Sequence, residues 1–117
     1  MTTSERGAQV EQAACRLLQR RGLHHLHSNF RAKTGELDLI MLDADCVVFV
    51  EVRYRRSERF GGAAMSIDTR KQQRLRRTAE YYLRRHPNFA QQPCRFDVVC
   101  ASGSTEDPDL HWIRRAF

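Results

Sequence analysis

The segment Cys46 to Tyr54 (Cys-Val-Val-Phe-Val-Glu-Val-Arg-Tyr) limits what this chain can fold into more than any other. It is rich in β-branched and aromatic residues, which suit a strand. Its first half is apolar at consecutive positions, so both faces of that strand need cover. A strand of this kind lies inside a sheet, with other elements packed above and below it. Its second half carries two charged side chains, Glu51 and Arg53, two residues apart and therefore on one face.

The flanking sequence supplies the cover. From Ser4 to Arg21, Val10, Ala13, Ala14, Leu17 and Leu18 recur at helical spacing. Ser4 reads as the cap of this helix and Gly22 as its C-terminal glycine. A strand is expected from Leu23 to Ala32, ending near Phe30, and Thr34-Gly35 is a turn. Glu36 to Leu42 alternates, placing Leu37, Leu39 and Met41 on one face and Glu36, Asp38 and Ile40 on the other. Asp43-Ala44-Asp45 is turn chemistry. Arg55 to Ser66, with Gly61-Gly62, reads as a loop, and Ser66 as a cap for the next helix.

Thr69 to Arg85 has Leu75, Ala79, Tyr82 and Leu83 on one helical stripe, and His86-Pro87 ends it. Cys94 to Ala101 is a fourth strand and Leu110 to Ile113 a short last one. The order α-β-β-β-α-β-(β) predicts an α/β fold, a mixed sheet flanked by helices. At 117 residues, one domain over 1–117 is expected, with a core of about 5–101 and a C-terminal extension over 102–117.

Charge narrows the partners. The net charge is +6, but it is unevenly placed. Residues 1–50 are neutral overall, 51–86 carry +7 and 87–117 carry −1. Concentration in one segment is the footprint expected of a protein that meets a polyanion. Arg70, Arg74, Arg77 and Arg84 share a helical stripe, close in sequence to the basic loop Arg53 to Arg59. The same stripe would serve equally as a solvated helix face. No apolar run is long enough to cross a membrane, and the polar N-terminus does not read as a signal peptide, so a cytoplasmic protein is expected. The four cysteines form no C-x-x-C pair and read as free, packed thiols. His25 and His27 read as exposed neighbours on one strand face. Tyr81, Tyr82, Phe96 and Trp112 read as core.

A hairpin joins the second and third strands. With a two-residue or four-residue loop, paired positions sum to 89, so Asp38 falls opposite Glu51, and Glu36 opposite Arg53. Directly opposed side chains have Cβ atoms about 5 Å apart. Two carboxylates that close repel unless a cation lies between them. A hard divalent ion such as Mg²⁺, which takes oxygen ligands, suits that place. The bland alternative is a structural network of Asp38 and Glu51 with Glu36 and Arg53.

The residues Gly7-x-x-x-Glu11, Gly35-Glu36-Leu37-Asp38-Leu39-Ile40 and Phe49-Val50-Glu51-Val52-Arg53 resemble the YraN-like uncharacterised bacterial family. So do Arg55, Phe60-Gly61-Gly62-Ala63, Lys71 and Arg95-Phe96-Asp97-Val98-Val99. That family is similar to archaeal Holliday-junction resolvases, within the PD-(D/E)xK nuclease superfamily. The resemblance implies a restriction-endonuclease-like α-β-β-β-α-β core and a metal-dependent DNA endonuclease, with branched DNA as the expected substrate. It implies Mg²⁺ or Mn²⁺ held by Asp38 and Glu51, with the Val52 carbonyl as a further ligand. Glu11 matches the first-helix acid, and Arg53 stands where the motif has lysine. Arginine stays protonated and cannot serve as a base; Lys71, one helix away, is the candidate substitute. Phosphate contacts are expected from Arg55, Arg56, Arg59, Arg70, Lys71, Arg74 and Arg77. A homodimer is expected on a two-fold substrate. The alternatives are a non-catalytic nucleic-acid-binding module on a nuclease fold and an assembly factor with an acidic partner.

Overall fold

The computed structural model describes residues 2–55 and 67–117. Helix α1 (Thr3–Arg20) leads into β1 (His24–Ala32), β2 (Gly35–Asp43) and β3 (Cys46–Arg55); α2 (Thr69–Arg85) and a 3₁₀ turn then precede β4 (Cys94–Ser102) and β5 (Asp109–Ile113). The five strands lie in chain order across one sheet. All neighbours are antiparallel except β3 and β4, which run parallel. The expected mixed α/β sheet is present, and residues after 102 belong to it. There β5 pairs with β4, the Ala116 amide donates to the Phe96 carbonyl, and Phe117 stacks on Phe96.

The central strand is β3, buried on both sides from Val47 to Val50. Its even positions, Val48 and Val50, join Ala14, Leu18, Leu39, Met41 and Val99 beneath α1. Its odd positions, Val47 and Phe49, join Ile40, Leu75, Ala79, Tyr82, Phe96 and Val98 beneath α2. The molecule is thus three layers, with α1 on one side of the sheet and α2 on the other. Fully burying one Leu or Phe side chain stabilises a fold by about 1.5–3 kcal/mol, so both interfaces contribute heavily.

The β2–β3 hairpin has the expected two-residue turn. Asp43 pairs with Cys46 and the ladder runs back in the predicted register. Ala44 takes φ 55°, the left-handed value such a turn uses. The pairs end at Leu39↔Val50, however, so Asp38 and Glu51 are the next positions beyond the ladder. Glu36 and Arg53 do not pair; Glu36 lies opposite Arg31 of β1 instead.

Several local expectations are corrected. Thr2, not Ser4, caps α1, its side chain accepting from the Glu5 amide. Asp68 caps α2 by accepting from the Lys71 amide; Ser66, with Arg56, Arg59 and Gly61-Gly62, lies outside the described residues. Gly22 does follow α1 with φ 96°, as a C-terminal glycine should. His25 and His27 do not share a face. The register shifts between them, which sends His25 to Ser28 near α1 and His27 to the rings of Phe30 and Tyr82 near α2.

Leu37 is the informative error. It packs beneath α2 with Ile40, whereas Leu39 and Met41 pack beneath α1. Strict alternation fails between Leu37 and Leu39, and the break is at Asp38. In β1 the ladder passes from Ser28↔Leu39 to Phe30↔Leu37, skipping Asn29 and Asp38. Asn29 has φ 54°, a left-handed value that asparagine tolerates better than most residues. Both strands therefore turn over at one level, and the side chains of that level project from a kink.

Candidate active site

The kink gathers charged side chains from four elements. Asp38 cannot continue the backbone ladder to β3. Its Oδ2 instead accepts from the Val52 amide at 2.9 Å, standing in for a strand carbonyl. Glu51 follows Phe49 by two and so faces α2. The carboxyl groups of Asp38 and Glu51 are close enough for each to act on the other's ionisation. Burial, then contact with Glu51, pushes the Asp38 carboxyl up to about 9, against a smaller lowering by the Val52 amide. Raised in this way, the pair favours sharing a proton, which lets two carboxyl groups occupy so small a space.

Lys71 faces them from α2. Its Nζ lies 2.7 Å from Glu51 Oε2, and Glu51 is only 8 % exposed. The approach is an ion pair by distance and lacks hydrogen-bond geometry, so among the described residues this buried oxygen has no hydrogen-bond partner. Lys71 is the third residue of α2, and the first turn holds no acid. A cation there opposes the helix dipole. Glu51 offsets that placement.

Glu11, on α1, approaches from the other side. Asn29 Nδ2 donates to Glu11 Oε1 at 2.9 Å and to Glu36 Oε1 at 3.0 Å, so one amide spends both hydrogens joining two acids. Burial raises the Glu11 carboxyl above its ordinary value; the Asn29 bond opposes this, and the charges of Glu36 and Glu51 add to it. Glu11 opens on a cavity of about 350 Å³ between α1 and β1, with His25 and Ser28 on its wall.

The structure sets Asp38 beside Glu51, with Glu11 near enough for its charge to act on the pair. Arg53 is half-buried beside Cys100, its register partner in β4, where its charge lowers the thiol that burial raises. Arg55, Arg70, Arg74 and Arg77 are exposed, on β3 and α2. Lys71, grouped with the phosphate contacts on sequence grounds and named as the lysine substitute, reaches the pair and stands against Glu51. Asn29 was missed; an asparagine in a polar strand gives no periodic signal. Among the described residues no three His, Cys, Asp or Glu side chains gather closely enough to form a ready metal cage. What the site presents is two abutting carboxyl groups and an ammonium.

Comparison with known proteins places this arrangement. The model of a family described as "Uncharacterised protein family UPF0102" matches residues 10–101. The chain belongs to the UPF0102 family. A UPF0102 protein of Xanthomonas euvesicatoria is 55% identical over 113 residues, covering 97% of this chain and 91% of that protein. One from Xylella fastidiosa is 55% identical over 113 residues (97% and 92%), and one from Stutzerimonas stutzeri 50% over 111 (95% and 92%). The matched stretch includes Glu11, Asn29, Asp38, Glu51 and Lys71.

Proposed function

We propose that this UPF0102 chain is a divalent-metal-dependent nuclease that acts on DNA, with branched DNA as its substrate class. The observation that carries the reading is the buried contact of Asp38 with Glu51, with Lys71 Nζ 2.7 Å from the acid. Two carboxyl groups pressed together in a low-dielectric site store repulsion that a cation relieves. Mg²⁺ binds through one or two carboxylates and keeps several waters, so the pair is a sufficient donor set. The buried Glu51 oxygen without a hydrogen bond fits the same role.

Asp38 and Glu51 would hold Mg²⁺ or Mn²⁺, and Asp38 would give up its proton on loading. When bound, the ion supplies Lewis acidity toward a phosphoryl oxygen. Lys71, displaced from Glu51 by the ion's charge, would turn its ammonium to the phosphate and stabilise negative charge as it builds there. Asn29 holds the Glu11 carboxylate beside the pair, where it would orient a water. Arg53, Arg55, Arg70, Arg74 and Arg77 would contact backbone phosphates, which position a nucleic acid without reading its sequence. A two-fold dimer belongs to the same proposal, and sedimentation tests it.

The test is cleavage of labelled duplex, flap and four-way-junction DNA with Mg²⁺, Mn²⁺ or EDTA, beside Glu51→Gln. Metal-dependent products that vanish in the variant support the reading. A non-catalytic binding module is the second reading, favoured by one observation: Lys71 already neutralises Glu51 without a metal. Gel shifts without products, and no calorimetric response to Mn²⁺, would decide for it.

A further inference from the structure

A second charged feature lies apart from the carboxyl pair. The β1–β2 turn and α2 enclose a cleft of about 610 Å³. Four cations line it, Arg31 and Lys33 from the turn and Arg77 and Arg84 from the helix, against one acid, Glu80. All four cations are exposed. The floor is firm: Thr34 and Thr78 meet hydroxyl to hydroxyl at 2.7 Å, and Thr78, fully buried, donates to the Arg74 carbonyl at 2.9 Å. Tyr81 forms a wall and is not free to stack on a base, because Phe30 lies against it and Arg85 donates to its hydroxyl. The cleft offers cations without an aromatic platform, which is a demand for backbone phosphates rather than for bases.

The cleft is joined to the carboxyl centre. Arg31 Nε lies 3.6 Å from Glu36 Oε1, and Glu36 is tied through Asn29 to Glu11. Helix α2 carries Lys71 at the carboxyl pair and Arg77 and Arg84 at the cleft. At 1.5 Å per residue, those two stand about 9 and about 20 Å along the helix from Lys71. A DNA strand advances about 3.4 Å per nucleotide along the duplex axis, so the same span covers about three to six nucleotides.

We propose that this cleft is a second phosphate-binding subsite, which grips the nucleic-acid backbone about three to six nucleotides from the phosphate at Asp38 and Glu51. The spacing rests on the reading of that pair as the cleavage centre; the grip itself does not. Arg31, Lys33 and Arg84 thereby join the binding surface, and a strand too short to reach them is held weakly.

The experiment measures binding of the full chain, in EDTA, to a fluorescein-labelled DNA duplex two helical turns long, across about 50–200 mM KCl. Wild type is compared with Lys33→Ala, Arg84→Ala, the double variant and Arg20→Ala, an exposed arginine at the end of α1. Each lost phosphate contact lowers the log–log salt slope by about 0.9, so the double variant should lose about 1.8. Arg20→Ala should lose nothing. Neutral methylphosphonates placed singly along one strand should weaken wild-type binding at the cleft's distance and leave the double variant indifferent there. If wild type binds and cleaves but the double variant keeps the wild-type slope, this inference fails and the nuclease reading stands. Wild type that binds no duplex at all overturns this inference, the cleft then suiting an acidic protein instead, while the nuclease reading is decided separately by the cleavage assay on flap and four-way-junction DNA.

Discussion

Asp38 and Asp97 are both strand aspartates sunk in the sheet, and they live in opposite circumstances. Asp97 is fully buried and fully employed: Arg95 Nε donates to both oxygens at 3.0 and 3.2 Å, Trp112 Nε1 at 2.9 Å and the Arg115 amide at 3.0 Å. A cation and two neutral donors satisfy its charge, and the result is a clasp that fastens β5 and the residues after it to β4. Asp38 has one amide and faces another acid. A buried acid whose oxygens are all taken holds a fold together. A half-buried acid left short of donors, next to a buried second one, is poised to bind something.

The difference can be broken from either side. The largest effect is expected at the clasp: Asp97→Asn leaves the nearly buried Arg95 with Asp43 as its one remaining acid among the described residues, unties Trp112 and Arg115 from a charged acceptor, and should cost about 3 kcal/mol, read by urea unfolding. Asp38→Asn should keep or raise stability while abolishing metal-dependent cleavage. Equal destabilisation by both would erase the distinction drawn between them. Next comes Lys71→Met, which should lower the cleavage rate about 100–1,000-fold, as removal of a charge-stabilising donor does. Lys71→Arg should restore part of it; a variant cleaving at the wild-type rate would take Lys71 out of the chemistry.

The comparison also has a pH dependence. Burial and the neighbouring Glu51 push the Asp38 carboxyl up to about 9 in the folded chain, against about 3.9 for an unfolded aspartate. Between those values the folded chain holds more protons than the unfolded one, so stability falls as pH rises through the window. Thermal scans in EDTA should show the midpoint declining from about pH 6 to about pH 9 in wild type and less steeply in Asp38→Asn. Added Mn²⁺ should recover more of it at the alkaline end. A wild-type curve parallel to the variant's would remove the strain argued for the pair. The smallest effect is expected at the floor of the cleft, where Thr34→Val removes one of the two hydrogen bonds of the Thr78 hydroxyl, leaves its bond to the Arg74 carbonyl, and should cost about 1 kcal/mol.

Much of this was legible in the sequence where period and turn chemistry act alone. The apolar run of Cys46 to Val50 announced the central strand, and the Ala44-Asp45 turn set the register that puts Asp38 and Glu51 level. Legibility stopped where tertiary geometry overrides the local period. Leu37 changes face because two strands kink together at Asn29 and Asp38, and neither strand reveals that alone. His25 and His27 part company for the same kind of reason, a register shift. Ser4 and Ser66 are plausible caps, but Thr2 and Asp68 lie where the helices begin. Lys71 is fifteen or more residues from either acid, so its meeting with Glu51 depends on how α2 crosses the sheet.

The Thr34–Thr78 latch bears on how the site is assembled. It ties the turn that begins β2 to the middle of α2, so the strand carrying Asp38 and the helix carrying Lys71 cannot slide past one another independently. Ordering those two bodies is therefore a cost met during folding and not at each encounter with a ligand. A change at the latch, remote from every charged group of the pair, should show itself as slower turnover at unchanged affinity, because what it loosens is the relative placement of groups that would otherwise arrive already aligned.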